Sequence, residues 1–224
     1  MTKSVLVVAA HPDDEVLGCG GTLATFTDSG TPVHVAFLAD GVYSRETVDD
    51  NALASRRSAA AAACSVLGTH DPTFGDFPDN CLDSLPRLQV IRAVEALIER
   101  YSPDTVFTHH AGDLNVDHRR VHEAVVTACR PQRGHPVRTL LFFEVPSSTE
   151  WQAPGSAPAF VPNWFVDISK TLPRKLAALE SYATELRPWP HPRSRQAVEH
   201  LARWRGATIG VDAAEGFMLV RNIT

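Results

Sequence analysis

The apolar stretch Ser4-Val5-Leu6-Val7-Val8-Ala9 runs directly into Ala10-His11-Pro12-Asp13-Asp14-Glu15. A short, continuously apolar and β-branched stretch reads as a strand buried on both faces, an environment supplied by a sheet covered with helices. The polar cluster then falls where that strand ends, the usual place for ligands in a parallel α/β sheet. His11 and Asp14 stand three apart across a turn, so both can face one metal ion while Asp13 stays beside them as a base. A pair of ligands does not close a metal site, and a third has to come from elsewhere in the chain.

The remaining pattern alternates strands and helices, as a Rossmann-like, mostly parallel sheet requires. Strands are expected at residues 5–9, 33–38, 104–108, 139–145, 164–168 and 216–220. Helices are expected at 50–67, 86–100, 117–129, 170–186 and 193–205, and residues 69–82 read as an ordered loop with at most a short strand. Gly18, Gly20 and Gly21 read as a tight turn ahead of a short helix at 22–29. Their spacing is not the G-x-G-x-x-G of a dinucleotide fold, and Cys19 among them has no activating partner in the sequence. Residues 146–163, proline-rich and without period, are expected to cover or edge a cleft.

At 224 residues the chain is read as a single domain spanning 1–224. A net charge of -5 gives no nucleic-acid footprint. Cys19, Cys64, Cys81 and Cys129 form no CxxC pair and read as reduced thiols of a cytoplasmic protein. The apolar run behind Lys3 is only a strand's length, so neither a signal peptide nor a membrane span is expected.

A second polar cluster, Asp113-Leu114-Asn115-Val116-Asp117-His118, opens the helix at 117–129, with His122 one turn further on. His118 can complete a His-Asp-His site with His11 and Asp14, leaving a position for water or a substrate oxygen. His122 shares its helical face, and the pair lacks an HExxH pattern. Zn2+ suits such a mixed N/O set better than magnesium, which takes more oxygens. It would lower the pKa of water from 15.7 toward about 7, and Asp13 is placed to collect the proton.

Ala-His-Pro-Asp-Asp-Glu after an N-terminal strand, with a later Asp-His helix start, resembles the PIG-L/LmbE family of zinc-dependent N-deacetylases. The likeness spans Val5 to roughly Ala128 and is loose in the C-terminal third. It implies His11, Asp14 and His118 as zinc ligands, Asp13 as general base, and an N-acetylated amino sugar as substrate. Arg56 matches an arginine of the family's first long helix that contacts substrate, although the acidic residue usual three positions later is Ala59 here. Asp40 and Gly41 correspond loosely to a loop at the active edge, which makes Asp40 a candidate for substrate hydroxyls.

One departure bears on the chemistry. Where the family pattern reads His-Pro-Asp-His, this chain has Asn115-Val116-Asp117-His118. Asn115 cannot act as an acid, but its amide can donate to an oxyanion. The proton for the leaving amine then falls to Asp13, His109 or His110, with Asp117 orienting an imidazole. The expected function is zinc-dependent removal of an N-acetyl group from an amino sugar or sugar conjugate, in a chain that can form a homo-oligomer. The alternatives are a metal-dependent hydrolase of a non-sugar amide and a noncatalytic sugar-binding protein.

Overall fold

A computed structural model describes residues 2–41 and 50–224. Strands β1 (Val5–Ala9), β2 (Val33–Ala39), β3 (Thr73–Phe77), β4 (Thr105–His109), β5 (Thr139–Phe143), β6 (Trp164–Asp167) and β7 (Ala214–Asn222) form one sheet in the order β3-β2-β1-β4-β5-β7-β6. The first five are mutually parallel, and β7 runs antiparallel to both β5 and β6.

Helices α1 (Asp14–Asp28), α2 (Asp50–Leu67), α5 (Leu172–Glu180) and α6 (Arg195–Ala207) contribute to the core on one side. Helices α3 (Arg87–Tyr101) and α4 (Val116–Ala128) cover the other. Strand β1 shows why its sequence is apolar throughout. Val5, Val7 and Ala9 join the first core while Leu6 and Val8 join the second, so the period of two persists with no solvent face to display it.

The structure corrects the sequence reading at two places. Helix α1 begins at Asp14 rather than at residue 22, with Gly18, Gly20 and Gly21 inside it. A Cβ on Gly18 would lie 2.4 Å from the Phe143 ring, and one on Gly21 2.7 Å from Ile168. Close packing of the helix on the sheet outweighs the ~1 kcal/mol that each interior glycine costs relative to alanine. The helix expected at 170–186 ends at Glu180. The chain beyond it turns, carrying Tyr182, Glu185 and Arg193 toward the end of β1. Among the described residues, no helix is long and apolar enough to cross a membrane.

Candidate active site

Parallel pairing aligns the C-terminal ends of β1, β2 and β4, and the polar cluster gathers there. The His11 backbone N–H donates to Asp14 Oδ2 at 2.8 Å, closing the turn that leads into α1. Across the strand ends, Asn115 caps α4, its Oδ1 accepting from the N–H groups of Asp117 (2.8 Å) and His118 (3.4 Å). That cap sets His118 on the first turn of α4, facing Asp14.

Carboxylates decide which nitrogen each imidazole presents. His11 Nε2 lies 2.9 Å from Asp117 Oδ2 and 3.0 Å from Asp79 Oδ1, so it carries the proton and leaves the Nδ1 lone pair toward Asp14, whose Oδ2 is 3.6 Å away. His118 Nδ1 lies 3.1 Å from Asp113 Oδ1, which leaves Nε2 as the lone pair, 3.4 Å from Asp14 Oδ1. Both His118 Nε2 and Asp14 Oδ1 are buried without a hydrogen-bond partner. Ligand atoms of His11, Asp14 and His118 lie within 4.8 Å of one another. Buried orphan donors facing one point fit a metal ion with mixed nitrogen and oxygen ligands.

His11, Asp79 and Asp117 form a second set with the same spread. Asp117 already accepts from Asn80 N–H at 2.7 Å and Leu82 N–H at 3.0 Å as well as from His11, which marks this set as the support that orients the imidazole. Asp113 is held likewise, accepting from Asn115 N–H (2.8 Å), Thr149 Oγ1 (2.7 Å) and Ser148 Oγ.

Burial lowers the basicity of His118, but the charges of Asp14 and Asp113 outweigh it and bring its pKa to about 9. His11 is opposed by burial in the same way and is raised well above the usual imidazole range by Asp117, Asp14 and Asp79. Asp14 goes the other way: burial would raise it, but the imidazoles of His118, His109 and His11 hold it well below the usual carboxylate range. The site therefore attracts positive charge.

Asp13 has a backbone φ of 112°, a left-handed conformation costly for a non-glycine residue and typical of over-determined functional positions. Its Oδ2 lies 3.2 Å from Arg193 Nη1 and 3.8 Å from Arg56 Nη2, while Oδ1 is buried without a partner. Burial raises its pKa, against the pull of Arg193 and Arg56. Arg56 is itself fixed by Glu185 Oε1 at 2.5 Å and the Pro12 carbonyl at 2.9 Å. At the end of the motif, the Glu15 side chain accepts from Asp13 N–H and from Tyr182 Oη. A polar cleft of about 180 Å³ opens over this group, lined by His11, Asp13, Gly41, Arg56, Asp79, Asn80, Asn115, Glu185 and Arg193.

The other sequence candidates stand as follows. Asn115 lines the cleft with its cap oxygen engaged and its amide N–H2 3.3 Å from Asn80 Oδ1. Asp40 is buried at the end of β2, beside the cleft residue Gly41. Burial and His118 push the pKa of His109 well down; its Nε2 accepts from Ala10 N–H at 2.8 Å and its ring stacks on that of His118 at 3.9 Å. Neither His109 nor His110 is among the residues lining this cleft. His110 instead donates from Nε2 to the Pro158 carbonyl at 2.8 Å and meets the Phe160 ring edge-on, because residues 146–163 fold over it. His122 donates to the His109 carbonyl, away from the metal-ligand set.

Sequence reasoning missed Asp79, Asp113, Glu15 and Arg193. Asp113 and Glu15 lie inside the two motifs and were visible as acids without a role. Asp79 and Arg193 sit in irregular segments where no period or spacing singles them out.

A family model described as PIG-L, GlcNAc-PI de-N-acetylase, matches residues 6–129. The chain is 29% identical over 186 residues to YaiS, an uncharacterized deacetylase of Escherichia coli K12, covering 80% of this chain and 90% of that one. It is 29% identical over 238 residues to the diacetylchitobiose deacetylase of Thermococcus kodakarensis, covering 99% and 84%. The solved structure of GalB, the 4-carboxy-2-hydroxymuconate hydratase of Pseudomonas putida KT2440, aligns with a TM-score of 0.77 at 21% identity over 99% of this chain and 98% of that one. That last likeness is of fold, and it shows one scaffold carrying different reactions, so chemistry has to be argued from the site.

Proposed function

This chain belongs to the PIG-L family, and we propose that it is a zinc-dependent hydrolase that removes an N-acetyl group from an amino sugar or sugar conjugate and releases acetate. The observation that carries the reading is the convergence of His11 Nδ1, Asp14 and His118 Nε2 beside the partnerless Asp13 Oδ1. When bound by His11, Asp14 and His118, zinc supplies Lewis-acid polarisation of an acyl oxygen and makes water acidic near neutral pH.

The chain's own groups do the rest. Asp13 takes the proton of the attacking water on Oδ1, while Oδ2 stays paired with Arg193. Asn115 lines the cleft, and the Nδ2 hydrogen not given to Asn80 Oδ1 steadies the developing oxyanion. Protonated Asp13 then returns the proton to the amine. Asp117 orients His11, and Arg56 and Asp40 meet substrate hydroxyls at the rim. His110 has no part in this route. The same reading treats residues 1–224 as one catalytic domain, and four free cysteines support a reducing, cytoplasmic location.

A second reading, hydrolysis of a non-sugar amide, is favoured by Asn115 alone, because the residue that meets the reacting group differs from the family pattern. Acetate release from a panel of N-acetylated amino sugars, with and without zinc and with Asp13→Asn as control, separates the two. Turnover of N-acetylated sugars that needs both zinc and Asp13 is expected. Zinc-dependent turnover of other amides without any sugar deacetylation would reject the substrate class.

A further inference from the structure

We propose that Arg193 is a positioning residue that clamps Oδ2 of Asp13 so that Oδ1 is the oxygen presented to the cleft. The inference rests on the reading of Asp13 as the base. A carboxylate rotates readily about its last torsion, and its two oxygens are equivalent until something binds one of them. Here Nη1 of Arg193 donates to Oδ2 at 3.2 Å, and among the described residues Oδ1 has no hydrogen-bond partner.

The clamp is itself anchored. Arg193 Nε donates to Ser147 Oγ at 2.7 Å, and its backbone N–H donates to His191 Nδ1 at 3.0 Å. The next residue, Ser194, caps α6 by accepting from Ala197 N–H at 3.1 Å. Ser147 is tied down in turn, its N–H donating to Glu150 Oε1 at 2.6 Å. One guanidinium thus fastens the loop before α6 and the loop after β5 to a residue 180 positions away. A planar fork can bond two acceptors in fixed directions at once, which a lysine cannot. Arg56 does not duplicate the clamp: at 3.8 Å from Oδ2 it is beyond hydrogen-bond reach, and it is committed to Glu185 and the Pro12 carbonyl.

The competing role for a cleft arginine is direct contact with substrate, and a double-mutant cycle distinguishes the two. The zinc-loaded enzyme is assayed on the N-acetylated amino sugar of the panel that gives the fastest acetate release. Arg193→Met is expected to lower kcat by about 100-fold, the scale of a misplaced catalytic group, with KM changed by less than about threefold. Added guanidinium restores part of the loss, and Arg193→Lys falls between. In an Asp13→Asn background, removal of Arg193 costs nothing further.

A KM effect with kcat intact overturns the proposal, as do losses that multiply with those of Asp13→Asn. A crystal structure of the Arg193→Met protein gives a readout independent of activity: Asp13 in its original orientation also overturns it. If Arg193→Met does not fold, Arg193→Gln and Arg193→Lys carry the same cycle. Full activity of Asp13→Asn would instead refute the base assignment, a failure visible before Arg193 is touched.

Discussion

His118 Nδ1 and Asp113 Oδ1 lie 3.1 Å apart, and this contact decides that Nε2 is the nitrogen of His118 left free to bind. Asp117 does the mirror-image job for His11, holding Nε2 and freeing Nδ1. The two imidazoles therefore present opposite nitrogens to Asp14, each directed by a carboxylate that is itself bound by several donors.

If the proposed zinc site holds, removing either support should loosen the metal before it unfolds the protein. Asp113→Ala and Asp117→Ala are each expected to weaken zinc binding by about 10- to 100-fold, the usual cost of losing a carboxylate behind a ligating histidine. Competition with a chromophoric chelator measures this. Wild-type affinity in both variants would mean that the histidines are oriented by something else.

Glycine in α1 makes a packing prediction. Because a Cβ at position 18 would fall within the Phe143 ring's van der Waals shell, Gly18→Ala should destabilise by about 1–3 kcal/mol despite alanine's better helix propensity. Phe143→Leu shortens the obstacle, so in the double variant the two costs should sum to less than their separate values. Urea unfolding of the four proteins gives the coupling, and simple additivity would show that α1 does not press on β5 there.

The Gly18 contact also shows what the sequence could and could not tell. Strand β1, helix α2 and the His11, Asp14 and His118 grouping were legible because buried strands, alanine-rich helices and clustered ligands leave local marks. The start of α1 was not, because local propensity reads Gly18-Cys19-Gly20-Gly21 as a turn and only the facing Phe143 and Ile168 explain the glycines. Arg193 and Asp79 were illegible for a related reason. Each reaches the site from a distant loop, and their contacts exist only in the folded chain.

The cysteines offer a check on burial. Cys64 and Cys129 are buried, and that burial pushes both thiols up to about 12; burial and the Glu215 charge hold Cys19 well above the usual thiol range. Cys81 is exposed. At pH 8 the buried thiols hold almost no thiolate, so a disulfide reagent should label Cys81 rapidly in the native protein and the other three only after denaturation. Fast labelling of a second thiol, located by peptide mapping, would contradict the packing of α1, α2 or α4.

Glu15 ties stability to pH, and the sign follows from its surroundings. Burial raises its carboxyl from 4.5 to about 8, with the Tyr182 hydroxyl pulling the other way. A group whose pKa is higher folded than unfolded binds more protons in the native state across that interval. Its contribution is complete below pH 4.5 and is lost as pH rises toward 8, at up to about 1.4 kcal/mol per pH unit. Glu15→Gln keeps an acceptor for Asp13 N–H and reverses the Tyr182 contact, its amide nitrogen donating to Oη as the O–H of a protonated carboxyl would. It removes the titration. Urea unfolding of metal-stripped protein should therefore find the variant close to wild type at pH 5 and increasingly the more stable of the two up to about pH 8. Stability curves that stay parallel from pH 5 to 9 would show that Glu15 ionises normally in the folded protein, and that the carboxylate beneath the Asp13 turn is charged.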